Sequence, residues 1–248
     1  MKWIEVKNYD EVSREAAGLI ISQVEQNPES VLGLATGGTV IGTYEYLVDD
    51  FQNNGTSYQR VSTFNLDEYC GVDPSNPHSY HYYMNEKLFM HIDVSGQHIH
   101  IPSGKADNPE EESRVYEKLI EEVGGIDLQL LGIGTNGHIG FNEPGTPFDS
   151  VTHVEDLAES TRRANARFFD SLEDVPKRAI TMGIATIMKS KKIVLLASGE
   201  SKADILYKLK YGEVTEEMPA SILKTHDNVI VIADEKAMTK INNREKRR

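Results

Sequence analysis

Three short stretches of this chain set glycine, acid and histidine at spacings that chemistry can use. The first is Thr36-Gly37-Gly38-Thr39, placed after an apolar run at 31–35. Paired glycines let the backbone turn sharply and approach a ligand, and N–H groups at the start of a following helix favour an anion. It is not a Walker loop, because no lysine stands in the G-K-[ST] register. A phosphate cradle and a plain tight turn both fit it. The second stretch is Asn65-Leu66-Asp67-Glu68-Tyr69. Adjacent side chains in extended chain point opposite ways, so at most one of Asp67 and Glu68 faces a site. A carboxylate there could take a proton from a carbon next to a carbonyl if burial keeps it basic enough. A helix cap or surface turn is the alternative. The third runs Gly132-Ile133-Gly134-Thr135-Asn136-Gly137-His138-Ile139-Gly140-Phe141-Asn142-Glu143-Pro144. Gly132, Gly134 and Gly137 spell G-x-G-x-x-G, but Gly140, Pro144, Gly145 and Pro147 break the long helix that a dinucleotide's pyrophosphate needs. What remains is His138, near an amide and five residues before a carboxylate. It is either an acid–base group whose tautomer its neighbours fix or a structural histidine.

Positioning these stretches falls to an alternating pattern. Apolar runs at 4–6, 31–35, 61–66, 98–101, 128–133, 193–197 and 229–232 alternate with helical stretches at about 10–26, 41–51, 109–123, 160–169 and 201–211. Continuous apolar strands separated by amphipathic helices predict a parallel sheet covered on both faces. The expected fold class is α/β: a single doubly wound, Rossmann-like domain over 1–239 with a mainly parallel sheet of about seven strands. Residues 240–248 are basic and read as a flexible tail. In such folds ligands gather at the carboxyl ends of the strands, near the point where strand order reverses. All three stretches stand at strand ends.

Composition narrows the function classes. A chain of 248 residues, 39% apolar and 26% charged, suits one large domain with a sizeable core rather than disorder. A formal charge of −13 argues against nucleic-acid binding, which needs a basic surface. It also poses a puzzle for any anionic substrate, because long-range steering is then repulsive. No apolar run approaches the roughly 20 residues of a membrane helix. Met1-Lys2-Trp3-Ile4-Glu5 does not fit a secretory signal, and Cys70, the one cysteine, cannot form an internal disulfide. The expectation is a cytoplasmic protein with no membrane partner. His98 and His100 share a strand face without a third ligand, so no metal is expected. Tyr80, Tyr82 and Tyr83 read as helix packing, and Cys70 has no adjacent cation to activate its thiol.

Taken together, L-G-L-A-T-G-G-T (32–39), N-L-D-E-Y (65–69) and G-I-G-T-N-G-H-I-G-F-N-E-P-G (132–145) resemble the glucosamine-6-phosphate deaminases. So do S-Y-H-Y-Y-M (79–84), R-x-A-N-A-R-F-F (162–169), A-I-T-M-G-I-A-T-I (179–187) and S-G-E-S-K-A (198–203), all in the same order. The resemblance implies conversion of glucosamine 6-phosphate and water to fructose 6-phosphate and ammonia, in amino-sugar utilisation, with no metal or organic cofactor. It implies that His138, oriented by Asn136 and Glu143, opens the sugar ring, and that Asp67 moves a proton from C2 to C1. It further implies phosphate capture by Thr36, Gly37, Gly38, Thr39, Arg167 and Lys202, with Arg167 on a mobile lid. Glu143 separates the chain from 6-phosphogluconolactonases, whose corresponding stretch ends S-L-F-P. A lactonase-like sugar-phosphate hydrolase is the alternative among enzymes, and a non-catalytic sugar-phosphate sensor the alternative outside them; no helix-turn-helix segment precedes the domain. Asn136 stands where several members have aspartate, and Val40 where a proline is common. Hexameric, effector-activated members carry basic residues after the N-E-P loop, whereas 149–155 offers only His153 beside Asp149 and Glu155. An unregulated monomer or small homo-oligomer with a small-molecule substrate is therefore expected.

Overall fold

The seven apolar runs become seven strands of one sheet in the computed structural model, which describes residues 1–166, 169 and 171–246. In chain order the elements are β1 (Lys2–Val6), α1 (Tyr9–Gln26), β2 (Val31–Leu34), α2 (Ile41–Asn53), β3 (Ser62–Asn65), β4 (Asp67–Tyr69), α3 (Tyr80–Lys87), β5 (Ile99–His100) and α4 (Pro109–Glu122). There follow β6 (Leu128–Gly132), β7 (His153–Asp156), α5 (Glu159–Asn165), β8 (Arg178–Thr181), α6 (Ile184–Met188), β9 (Ile193–Ala197), α7 (Ala203–Tyr211), β10 (Val229–Asp234) and α8 (Glu235–Glu245). The main sheet has the order β1-β10-β9-β6-β2-β3-β5 and every pairing in it is parallel. Its central strands are apolar without alternation because helices cover both faces; all five residues of β9 are fully buried. Helix α1 starts where Asn8 accepts a bond from the Glu11 amide, with Asp10 and Glu11 complementing the helix dipole, and it buries Val12, Ala16, Ile20 and Val24. From β2 the chain builds outward through β3 to β5, then returns to place β6 on the other side of β2. The order therefore reverses between β2 and β6, and a crevice opens beyond their carboxyl ends.

A second sheet was not foreseen. Strands β4, β8 and β7 form an antiparallel layer in that order, with Asp67 opposite Thr181 and His153 also opposite Thr181. Strands of three or four residues rich in polar groups carry no apolar period, so the stretch at 65–69 reads as a loop in the sequence. Leu66 alone separates β3 from β4, and its carbonyl accepts a bond from the Met182 amide at 2.6 Å. The chain thus steps from one sheet to the other immediately before Asp67.

The loose tail expected from Lys240 is corrected as far as Glu245. Helix α8 continues to that residue, buries Ala237, Met238 and Ile241, and lays the Arg244 guanidinium 4.1 Å from the Tyr211 ring centre. Asn242 also donates to Glu5 on β1 at 2.6 Å. The apolar positions 237, 238 and 241 lie on one helix face, and that face, not the basic charge, decides the order of the segment. No helix among the described residues is long and apolar enough to cross a membrane.

Candidate active site

The glycine stretch turns between β2 and α2. Gly37 sits at φ +103°, a backbone conformation that a side chain would strain. Its carbonyl accepts from the Tyr83 hydroxyl at 2.8 Å, and the Gly38 carbonyl accepts from the Tyr9 hydroxyl at 3.0 Å. The amides of Gly38 and Thr39 have no acceptor among the described residues. Val40, at the N-cap of α2, supplies no side-chain cap. Held carbonyls and uncapped amides leave this turn with N–H groups open to an acceptor, the arrangement that suits an anion.

Asp67 and Glu68 face different surroundings, as adjacent strand residues must. Asp67 opens into a cavity of about 800 Å³, while Glu68 turns to the start of α3. There Glu68 accepts from the amides of Tyr80 and His81, both at 3.0 Å, and meets His81 Nδ1 at 2.9 Å. No hydrogen bond among the described residues reaches the Asp67 carboxylate. Burial, and secondarily the charge of Glu68, push its pKa from 3.8 up to about 8. That is the range of a competent base near neutral pH.

The histidine loop leaves β6 and folds back on itself, with the Gly134 amide donating to the His138 carbonyl at 3.0 Å. The His138 ring lies against the Gly134 backbone: a Cβ on Gly134 would fall 2.3 Å from His138 Cε1. The G-x-G-x-x-G spacing therefore makes room for an imidazole rather than for a pyrophosphate. Two residues after His138, Gly140 brings this loop to Asp67, since a Cβ built there would stand 3.6 Å from Asp67 Oδ2. Phe141 is tied down as its amide donates to Thr181 Oγ1 at 3.1 Å, so the antiparallel layer positions both β4 and the loop. Burial lowers the His138 pKa, the Glu143 carboxylate opposes that shift, and Lys202 adds to it. A neutral imidazole is the resting form that follows.

Thr36, Gly37, Gly38, Thr39, Asp67, His138 and Lys202 all line the one cavity. Lys202 is anchored there by donating to the Ile133 carbonyl at 2.7 Å. Arg167 lies outside the described residues. Asn136 and Glu143 are not among the residues that line the cavity, and the Asn136 side chain reaches the histidine at its backbone. Asn136 Oδ1 accepts from the His138 backbone amide at 3.2 Å and its Nδ2 donates to Glu143 Oε2 at 2.9 Å. It fixes the loop and the glutamate, not the ring.

Two groups of residues escaped the sequence reading. Tyr80 and Tyr83 line the cavity rather than merely packing α3, and Tyr80 joins Tyr69, Phe141 and Phe169 in an aromatic wall. The S-Y-H-Y-Y-M motif was their signal. Thr161 on α5 lines the cavity and donates to Glu143 Oε1; a lone threonine two residues into a helix carries no signal at all. His100 stacks on Phe64 with centroids 4.4 Å apart, a packing role. Among the described residues no group of three or more His, Cys, Asp or Glu could hold a metal ion.

The geometry can be set beside known proteins. The family described as glucosamine-6-phosphate isomerases/6-phosphogluconolactonase matches residues 7–232. A glucosamine-6-phosphate deaminase of Geobacillus sp. (strain WCH70) is 62% identical over 239 residues, covering 96% of this chain and 95% of its own. One of Shouchella clausii (strain KSM-K16) is 57% identical over 237 residues, covering 96% of each chain. A solved monomeric glucosamine-6-phosphate deaminase superposes with a TM-score of 0.96 at 50% identity, covering 97% of this chain and all of the other. The 6-phosphogluconolactonase of Trypanosoma brucei shares the fold, with a TM-score of 0.80 at 18% identity, 97% of this chain and 98% of the other being covered.

Proposed function

The chain belongs to the family of glucosamine-6-phosphate isomerases and 6-phosphogluconolactonases, and from that premise we infer how its cleft works. It is an enzyme that isomerises and deaminates glucosamine 6-phosphate to fructose 6-phosphate and ammonia. The phosphate rests on the Gly38 and Thr39 amides beside Lys202, with Arg167 as a further counter-charge. This orients the sugar with C1 and C2 toward Asp67 and His138. Neutral His138 takes the proton of the anomeric hydroxyl, and the ring oxygen receives a proton as the C1–O5 bond breaks. Asp67 then removes the C2 proton to give an enolamine and returns a proton to C1, leaving an imine at C2. Water adds to that imine and ammonia departs, which leaves the ketose phosphate. Glu143, held by Asn136, stands behind His138 and supports the protonated ring while it exists.

The observation that carries this reading is the Asp67 carboxylate: buried, bare of hydrogen bonds among the described residues, beside Glu68, and in the same cavity as His138 and the glycine turn. Lactone hydrolysis needs no base of that kind at a sugar carbon. We further propose a monomer in the reducing cytoplasm. Support comes from the 50% identical relative described as monomeric and from the single, partly buried Cys70. The ring of His153 is engaged by the Val151 carbonyl and Glu155 Oε2, which argues against its serving an effector's phosphate. The test is a two-arm assay of the purified chain. Ammonia release from glucosamine 6-phosphate is expected, with no acceleration of 6-phosphogluconolactone hydrolysis. Lactone hydrolysis without ammonia release would overturn the reading.

A further inference from the structure

Glu143 is bonded on both oxygens, and neither bond comes from the histidine beside it. Oε2 accepts from Asn136 Nδ2 at 2.9 Å, and Oε1 accepts from the Thr161 hydroxyl. His138 Nδ1 stands 3.9 Å from Glu143 Oε2, beyond a hydrogen bond, and is buried with no hydrogen-bond partner among the described residues. Glu143 and Thr161 are themselves 6% and 5% exposed, so water does not replace these contacts freely. The two donors arrive from separate elements. Asn136 belongs to the same loop as Glu143, whereas Thr161 rides on α5, which follows the antiparallel strand β7.

We propose that Thr161 is a positioning residue, whose hydroxyl draws the Glu143 carboxylate toward α5 and away from His138 Nδ1, so that the seating of α5 decides whether the Glu143–His138 pair closes. The assignment rests on the reading of His138 as the ring-opening group. A buried ring nitrogen without a partner is costly, and a protonated Nδ1 would find an acceptor in the carboxylate that stands about 1 Å beyond reach. A neutral hydroxyl donor also satisfies part of the carboxylate's accepting capacity, which weakens its hold on an imidazolium. Releasing the hydroxyl therefore does two things together. It frees the carboxylate to move, and it leaves the carboxylate more attractive to a protonated ring. Of the other charged groups, Lys202, from the turn before α7, acts on the charge of the ring, and Asp67, on β4, lines the same cavity.

The test compares Thr161→Val, which keeps the shape and drops the hydroxyl, with Thr161→Ser, which keeps the hydroxyl. The His138 ring is followed by NMR over a pH series, its resonances assigned by their loss in His138→Gln, and kcat and KM are measured on glucosamine 6-phosphate. Thr161→Val is expected to raise the His138 titration midpoint by about half a unit or more. It is also expected to lower kcat roughly tenfold with KM little changed, because the interaction lost acts on the reacting protons. Thr161→Ser should restore both quantities. Thr161→Ala is to behave as Thr161→Val and serves in its place if valine disturbs packing. A midpoint unchanged in both hydroxyl-free variants overturns the proposal, even if kcat falls, since lost packing alone lowers kcat without moving the ring's titration. The ring titration is independent of turnover, so a wild-type chain without deaminase activity would refute the functional reading and leave this test standing.

Discussion

Burying one carboxylate beside another is a cost that the fold bears at Asp67. In the unfolded chain this group releases its proton near 3.8, while in the folded chain it holds the proton to about 8. Between those values the unfolded state binds fewer protons than the native state, so stability falls as pH rises. The stabilising share of the protonated group is complete below 3.8 and lost by the time pH passes 8. Asp67→Asn keeps the shape and abolishes the ionisation. Thermal melts of that variant and wild type should agree closely near pH 4 and diverge toward pH 8.5, with the variant more stable by on the order of a few kcal/mol. A gain that does not grow with pH would contradict the assigned environment. Such a trade of stability for reactivity is a mark of catalytic groups.

At the scale of elements, the site depends on Glu68 and the short antiparallel layer. Glu68 holds the start of α3, and α3 presents Tyr80 and Tyr83 to the cavity and to the glycine turn. The same carboxylate raises the pKa of Asp67. Glu68→Gln weakens the bonds from three amides, those of Tyr69, Tyr80 and His81, and removes a charge, so a loss of about 1–3 kcal/mol is expected in denaturant unfolding. The acidic limb of kcat/KM should also move to lower pH, since a cause of the raised Asp67 value is gone. A limb that stays in place while stability falls would make Glu68 a cap and nothing more. The seven parallel strands were legible because each is buried on both faces and reads as an unbroken apolar run. The antiparallel layer was not, since Asp67-Glu68-Tyr69 and His153-Val154-Glu155-Asp156 are too short and polar to show a period. The apolar face of α8 was likewise masked by the basic and polar residues interspersed along the helix, Lys236, Thr239, Lys240 and Arg244 among them.

For the molecule as a whole, a net charge of −13 and an anionic substrate are reconciled locally. The strand order reverses between β2 and β6, and that reversal gathers the glycine amides, Lys202, Asp67 and His138 at one end of the sheet. In the proposed pose, uncapped amides and a lysine anchored at the end of β6 attract phosphate at short range, where the distant acidic surface is screened. Motifs in the sequence marked most of these residues because each loop keeps its chemistry in contiguous positions. Relations within and between loops were hidden: that Asn136 bonds Glu143 rather than the imidazole, and that α5 reaches Glu143 through Thr161, depend on folded geometry alone. The central claim is that buried Asp67 carries the proton between C2 and C1. Its most direct test is ammonia release from glucosamine 6-phosphate by Asp67→Asn, with substrate affinity measured on the same preparation. Turnover should fall by roughly 10²–10⁴-fold while binding stays largely intact; near-normal ammonia release by a variant that still binds substrate would contradict it.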